Sequence, residues 1–264
     1  MTEITSAKNE KIKDLIKFRN KNGKLSENEI LIEGSRELER ALAADIKFLE
    51  SYFCPELIEN DQKELFADVM ANSEKLIQVD KYVFEKIAYK NNPFGIIVKA
   101  EFIPSRFDDI KIDKNSLILV AESIEKPGNL GALIRTADGA GIDTIILANK
   151  ITDYRNPNVI RASTGTIFSK KIVEADTTDV ITFLKENNVE IVAADPYAEK
   201  MYYDIDYSNK VAIVVGSEAF GLSDEFKENA NTLVKIPMEG FADSLNVNQA
   251  ATIVLYEAVR QRKL

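Results

Sequence analysis

The chain has 264 residues, 45% of them hydrophobic and 29% charged, enough for one large or two medium globular domains. It contains no histidine and one cysteine, Cys54, which excludes His-dependent triads, HExxH zinc sites and an internal disulfide framework. Its net charge of −9 is unlike the broad positive potential of a promiscuous nucleic-acid binder, and no run reaches the roughly 18 apolar residues of a membrane span.

At the start, Met1 to Lys8 has no apolar core like that of a signal peptide, so a cytoplasmic location is expected. Ser6 is placed to cap a helix running to about Asn20, with Asn22-Gly23 as its stop. This segment is basic: Lys8, Lys11, Lys13, Lys17, Arg19, Lys21 and Lys24 stand against Glu3, Glu10 and Asp14. Two readings fit it, a solvated helix face with Ile12, Leu15 and Ile16 inward, or an arm whose Lys11, Lys13, Lys17 and Arg19 contact phosphates.

Next come a short strand at Ile30-Leu31-Ile32, a helix from Ser35 to Ala44 and a strand from Ile46 to Phe53. Cys54 ends that strand and suits burial better than reactivity. A helix around Asp61–Ala71, a strand at Leu76–Val79, a helical turn or two at Lys81–Ala88 and a strand at Gly95–Phe102 complete a small α/β domain. The stretch Ile103-Pro104-Ser105-Arg106 breaks the pattern. The expected organisation is therefore a domain at 1–105, a linker at 106–116 and a second domain at 117–264.

The second half is more regular. Leu117–Ala121, Thr144–Leu147, Ile167–Val173, Glu190–Ala194 and Val211–Val215 read as strands. Helices are expected at Asn129–Ala140, near Pro157–Ser163, and from a cap at Asp176 or Thr177 to Asn187. Strands alternating with helices predict a parallel sheet covered on both faces. Val211–Val215 ends abruptly in Gly216-Ser217-Glu218-Ala219-Phe220-Gly221, as a buried strand does when it delivers a loop at its carboxyl end, where ligands bind in open α/β sheets. Ile236-Pro237-Met238 follows, and then Ser244-Leu245-Asn246-Val247 opens a helix. Val247, Ala250, Ala251, Val254, Leu255 and Ala258 share one face of that helix, and Ser244 is placed to cap it.

Two further stretches carry polar groups. Gly128 and Gly131 follow the first strand of this half without G-x-G-x-x-G spacing, so alone they mark little more than a tight turn. Arg135 lies one helical turn beyond them among apolar residues, where a salt bridge to Glu122 or Glu218 would make it a structural group. The stretch Tyr154 to Gly165, with Arg155 and Arg161, is rich in donors and suits a phosphate or ribose, or else a helix begun by Pro157.

Taken together, Asn129-x-Gly131-x-x-x-Arg135, Arg161-Ala162-Ser163-x-Gly165, Gly216-Ser217-Glu218-x-x-Gly221-Leu222, Ile236-Pro237-Met238 and Ser244-Leu245-Asn246-Val247 closely resemble the SpoU (TrmH-like) family of RNA ribose 2′-O-methyltransferases, across residues 117–264. The first half is similar to the small substrate-binding domain many members carry, with Leu31-Ile32-Glu33-Gly34 at its usual opening. Asn248-Gln249 depart from the small residues the family usually has there, which bears on substrate detail or dimer packing.

The resemblance implies a parallel-sheet methyltransferase domain with a C-terminal trefoil knot, a rare exception to unthreaded connections, and a homodimer whose partner completes the site. It implies S-adenosylmethionine held near Gly216, Ile236, Leu245 and Met238, and a catalytic set of Asn129, Arg135, Glu218, Ser244 and Asn246. The implied reaction is methylation of a ribose 2′-hydroxyl in structured RNA, 23S ribosomal RNA first. Transfer RNA, or a non-catalytic RNA-binding member, stand as alternatives. Arg135 is often treated as the base in this family. A guanidinium with a reference pKa of about 12.5 costs roughly 7–8 kcal/mol to deprotonate at pH 7, so Arg135 is better read as a phosphate clamp and oxyanion stabiliser, with Glu218 orienting Arg135 or Asn129.

Overall fold

Short apolar runs bounded by turn residues become most of the strands, which assemble into two separate sheets. The computed structural model describes residues 1–19, 25, 26, 28–89 and 94–263, so the stop expected at Asn22-Gly23 lies outside the described residues. By packing, one unit is Met1–Ile103 with Arg155–Phe168, and the other is Pro104–Tyr154 with Ser169–Leu264.

In the first unit, β1 (Thr2–Ile4), β2 (Glu29–Glu33), β3 (Phe48–Phe53), β4 (Ser73–Val79) and β5 (Ile96–Glu101) form a sheet of order β1-β4-β3-β5-β2. The first three neighbours are parallel, while β5 runs antiparallel to both β3 and β2. Helices α1 (Glu10–Arg19), α2 (Ser35–Ala43), α3 (Lys63–Ala71) and α4 (Lys81–Ile87) alternate with them. Ile12 and Leu15 of α1 and Val83, Phe84 and Ile87 of α4 close a core over Tyr52, Ile77 and Ile97, and Cys54 is buried within it. Helix α1 begins later than expected. Asn9, not Ser6, sits at its start, with its Oδ1 accepting from the Lys11 N–H at 3.0 Å and its carbonyl accepting from Lys13 N–H at 2.9 Å.

The second unit contains β6 (Leu117–Glu122), α5 (Pro127–Gly139), β7 (Thr144–Ala148), β8 (Lys171–Ala175), α7 (Thr177–Glu186), β9 (Glu190–Ala194), β10 (Lys200–Met201), β11 (Val211–Val215), α8 (Asp224–Asn229), β12 (Thr232–Lys235) and α9 (Val247–Arg262). Its seven strands pair in the order β10-β12-β9-β11-β6-β7-β8, all parallel. Alternate residues choose the face. Ile118 and Val120 of β6 and Ala212 and Val214 of β11 join a core with Val180, Leu184 and Phe226 of α7 and α8. On the other face α9 packs on β11 and on α5. All five residues of β11 are buried, and each such Val or Ile contributes roughly 1.5–3 kcal/mol.

Three expectations change here. The stretch expected as a linker is packed: Phe107 stacks on Phe183 with ring centres 4.4 Å apart, and Ile110 is buried in the second core. Residues 155–168, expected with the second domain, pack with the first unit, where α6 (Pro157–Ala162) lies on β2. The strand expected at Ile167–Val173 is split, because Thr166–Ser169 coils into a 3₁₀ turn as the chain passes between units and only Lys171–Ala175 pairs with β7.

Candidate active site

A cavity of about 600 Å³ opens at the carboxyl ends of β9, β11 and β12, within the second unit. Gly216, Ser217 and Glu218 line it after β11, Ile236 and Met238 after β12, and Ser244, Leu245 and Asn246 before α9. The loop after β11 folds back on itself. Ser217 and Gly221 exchange both backbone hydrogen bonds at 3.0 Å, and Ser217 Oγ accepts from the Phe220 N–H at 3.0 Å. A Cβ at Gly216 would lie 2.3 Å from the Gly221 carbonyl and 2.5 Å from Leu222 N, so only glycine fits beneath this loop. The close approach that Gly216 permits is thus first to its own loop. Glu122, buried at the end of β6, braces the same loop: one oxygen accepts from Thr177 Oγ1 and the other from Ser223 N–H, both at 2.8 Å.

Glu218 gathers the polar residues. Its Oε1 accepts from Asn129 Nδ2 at 2.6 Å and from Asn246 Nδ2 at 2.5 Å, and Lys126 Nζ lies 2.7 Å from Oε2. That bond raises the Lys126 ammonium above its ordinary pKa. Asn246 also caps α9, because its Oδ1 accepts from Asn248 N–H at 3.0 Å. The cap therefore turns its amide NH₂ toward Glu218. Ser244 was expected in that capping role. It is instead exposed two residues upstream, on the cavity wall, because Asn246 directly precedes the first helical residue and an Asn side chain reaches the N–H two residues on.

Arg135 stands on α5 with an exposed side chain, and no ion pair or hydrogen bond ties it among the described residues. The salt bridge considered for it does not form. Glu122 is occupied by Thr177 and Ser223, and Glu218 by Lys126, Asn129 and Asn246. Arg135 and Asn129 do not line the cavity, although Asn129 joins it through Glu218. The departure at Asn248-Gln249 has a structural outcome as well. Asn248 Oδ1 accepts from Thr136 Oγ1 at 2.9 Å and so pins α9 to α5, while Gln249 faces solvent.

The basic residues of the first unit are largely engaged. Lys11 pairs with Glu50, Lys17 with Asp14 at 3.1 Å, and Arg19 donates to the Lys86 carbonyl at 2.9 Å; Lys13 is exposed. Burial alone would raise the Glu50 carboxyl, but hydrogen bonds from Lys11 and Tyr52, with Lys99 nearby, hold it below its ordinary value. Arg155 is half-buried, and Arg161 is exposed with Nη2 3.3 Å from Asn158 Oδ1. The Ser163-Thr164-Gly165 end of α6 docks on α2. Arg40 Nη1 donates to both the carbonyl and Oγ1 of Thr164 at 2.7 Å, and a Cβ at Gly165 would meet Glu37 Cα at 3.0 Å. Sequence reasoning passed over Lys126, Asp195 and Lys227, all on the cavity wall. Asp195 had a signal, since it follows a buried strand at its carboxyl end as Gly216 does.

Two family models match the chain: the SpoU rRNA Methylase family over residues 116–256 and the MRM3-like substrate binding domain over residues 9–98. A 23S rRNA guanosine 2′-O-methyltransferase, RlmP, of Bacillus subtilis (strain 168) is 27% identical over 97% of this chain and 98% of its own. A crystal structure of an RNA 2′-O ribose methyltransferase superposes with a TM-score of 0.85 at 38% identity, covering 100% of both chains. The AdoMet-bound rRNA methyltransferase from Sinorhizobium meliloti superposes with a TM-score of 0.88 at 31% identity, covering 98% of this chain and 97% of that one.

Proposed function

Because the chain belongs to the SpoU rRNA methylase family, we propose that it is an S-adenosylmethionine-dependent methyltransferase acting on a ribose 2′-hydroxyl of 23S ribosomal RNA. The observation that carries this reading is the cavity at three parallel strand ends with the Glu218, Asn129 and Asn246 cluster at its edge. A cavity of about 600 Å³ suits a nucleoside-sized ligand, and its mixture of Ile236, Leu245 and Met238 with polar loop groups suits a purine carrying an amino-acid tail. S-adenosylmethionine would supply a methyl group from a sulfonium, whose sulfur departs as a neutral thioether without protonation.

The chain's own part is positioning. Gly216, Ile236, Met238 and Leu245 hold the cofactor, and the backbone pairing of Ser217 with Gly221 keeps the loop after Gly216 in place. Glu218 fixes the Asn129 and Asn246 amides; Asn129 Oδ1 takes a long 3.4 Å contact from Asn246 Nδ2 and keeps a second lone pair to accept from an incoming ribose hydroxyl. Arg135, with no ion pair or hydrogen bond among the described residues, can take an RNA phosphate and stabilise charge developing on the acceptor oxygen. Ser244 stands exposed on the wall as a further donor to RNA. The closing segment threads as a trefoil knot, the protein acts as a homodimer, and it works in the cytoplasm. No helix among the described residues is long and apolar enough to cross a membrane.

Mapping ribose methylation in ribosomal and transfer RNA from a strain lacking the gene tests the target. Loss of one 23S site is expected, and loss confined to transfer RNA would overturn the ribosomal assignment. S-adenosylmethionine should also bind the isolated 106–264 segment, since all cavity-lining residues lie there. That segment carries α6 without β2, so low solubility is expected with it. Calorimetric binding only when residues 1–105 are present would contradict a cofactor site confined to the second unit.

Among the basic residues of α1, Lys13 and Lys17 are the RNA contacts expected to matter. Lys17's exposed pair with Asp14 is weak enough to exchange. Replacing both by Gln should flatten the salt dependence of RNA binding by about two counterions. Lys11→Gln and Arg19→Gln should lower thermal stability more than affinity. An unchanged salt slope would return α1 to a solvated face.

A further inference from the structure

Asp195 follows β9 directly and lines the cavity together with Gly216 and Ile236. Its side chain is only 8% exposed, whereas Asp243, another acid on the wall, is exposed and Glu218 is committed to Lys126, Asn129 and Asn246. Burying a carboxylate is costly unless its acceptor sites are filled. Asp195 Oδ1 accepts from the Tyr197 N–H at 2.8 Å, and Oδ2 lies 3.1 Å from Lys227 Nζ. An ionised carboxylate has about four acceptor sites. Two contacts leave capacity on this carboxylate at the cavity wall.

The neighbouring cation decides what that capacity can take. Lys227 already neutralises Asp195, so a second cation, a sulfonium or an ammonium, would meet like charge at the same carboxylate. A neutral pair of donors meets none. We propose that Asp195 is a cofactor-binding residue that accepts hydrogen bonds from the vicinal ribose hydroxyls of S-adenosylmethionine, with Lys227 holding the carboxylate in place. This rests on the reading of the cavity as the cofactor site.

Calorimetry on the full chain tests it with two ligands, S-adenosylmethionine and S-adenosylhomocysteine, which share the ribose but differ in the sulfonium charge. Asp195→Asn should weaken both by the same factor, about tenfold or more, as expected for hydrogen bonds to a charged acceptor. Lys227→Met, which breaks the same ion pair but keeps the acceptor, should weaken both ligands by a smaller factor than Asp195→Asn does. An S-adenosylhomocysteine analogue lacking both ribose hydroxyls should bind the unaltered protein at least about tenfold more weakly than its parent, and Asp195→Asn should no longer separate the two. Equal losses in Asp195→Asn and Lys227→Met would make the pair purely structural and overturn the proposal. So would a loss for S-adenosylmethionine alone, or indifference of the unaltered protein to the missing hydroxyls. That last comparison decides the matter even if Asp195→Asn does not fold. Leu245→Arg, which places a large charged side chain at the cavity wall, separates the two readings. Unchanged binding there would overturn the cavity assignment, whereas lost binding there with Asp195→Asn unaffected would overturn the role of Asp195 alone.

Discussion

Arg135→Ala should cost about 3 kcal/mol or more of transition-state stabilisation, roughly a hundredfold or more in single-turnover rate with RNA saturating. Cofactor affinity should barely move, because Arg135 stands on α5 and is not among the residues that line the cavity. Arg135→Lys should retain part of the activity, since Lys keeps the charge and loses the bidentate fork. The rate–pH profile separates a clamp from a base. A lysine's reference pKa of about 10.4 lies below that of a guanidinium, so a base at this position would shift the curve to lower pH on substitution. A clamp leaves the curve where it was. A shift to lower pH would restore Arg135 as the base.

Gly216→Ala should abolish measurable S-adenosylmethionine binding, a loss of at least about a hundredfold, with a smaller fall in melting temperature. The added Cβ would sit 2.3 Å from the carbon and oxygen of Gly221, and both are backbone atoms in a paired turn that cannot swing aside as a side chain would. Overpacking of this kind costs typically about 1–3 kcal/mol. Opening the 217–221 loop, which forms part of the cavity wall, would relieve it. Binding within threefold of the unaltered protein, by calorimetry, would show that this loop does not shape the cofactor site.

The second sheet was legible because its central strands are buried on both faces. Leu117–Ala121, Ile191–Ala194 and Val211–Val215 are continuous apolar runs, as a doubly covered parallel strand must be. The three-residue edge strand β1 and the four-residue β12 have too few residues for any period to appear. Helix α6 was legible as a helix from Pro157; the structure adds its cap, Asn156, whose Oδ1 accepts from Asn158 N–H at 2.9 Å. Its place was not, because which sheet a six-residue helix packs on depends on tertiary contacts such as Arg40 with Thr164. In the site, motif positions such as Glu218 after a strand end and Asn246 at a helix start were evident as polar groups. Their mutual bonding, and the Lys126 that completes it, join residues about 90 or more positions apart or across a loop, and no local spacing encodes that. The same holds for the capping of α9: Ser244 and Asn246 are both good caps by type, and backbone geometry chose Asn246.

The central claim, methyl transfer to a ribose hydroxyl, has a direct chemical readout. Alkali cleaves RNA through the free 2′-hydroxyl, so a 2′-O-methyl group leaves one linkage uncut and its label in a resistant dinucleotide. The purified protein should be incubated with S-adenosylmethionine labelled in its methyl group and with 23S RNA from a strain lacking the gene, and the RNA then digested in alkali. The account predicts label in a single alkali-resistant dinucleotide, lost in Arg135→Ala. Label released in mononucleotides, which marks a methylated base, would contradict it, as would bound cofactor with no transfer to RNA.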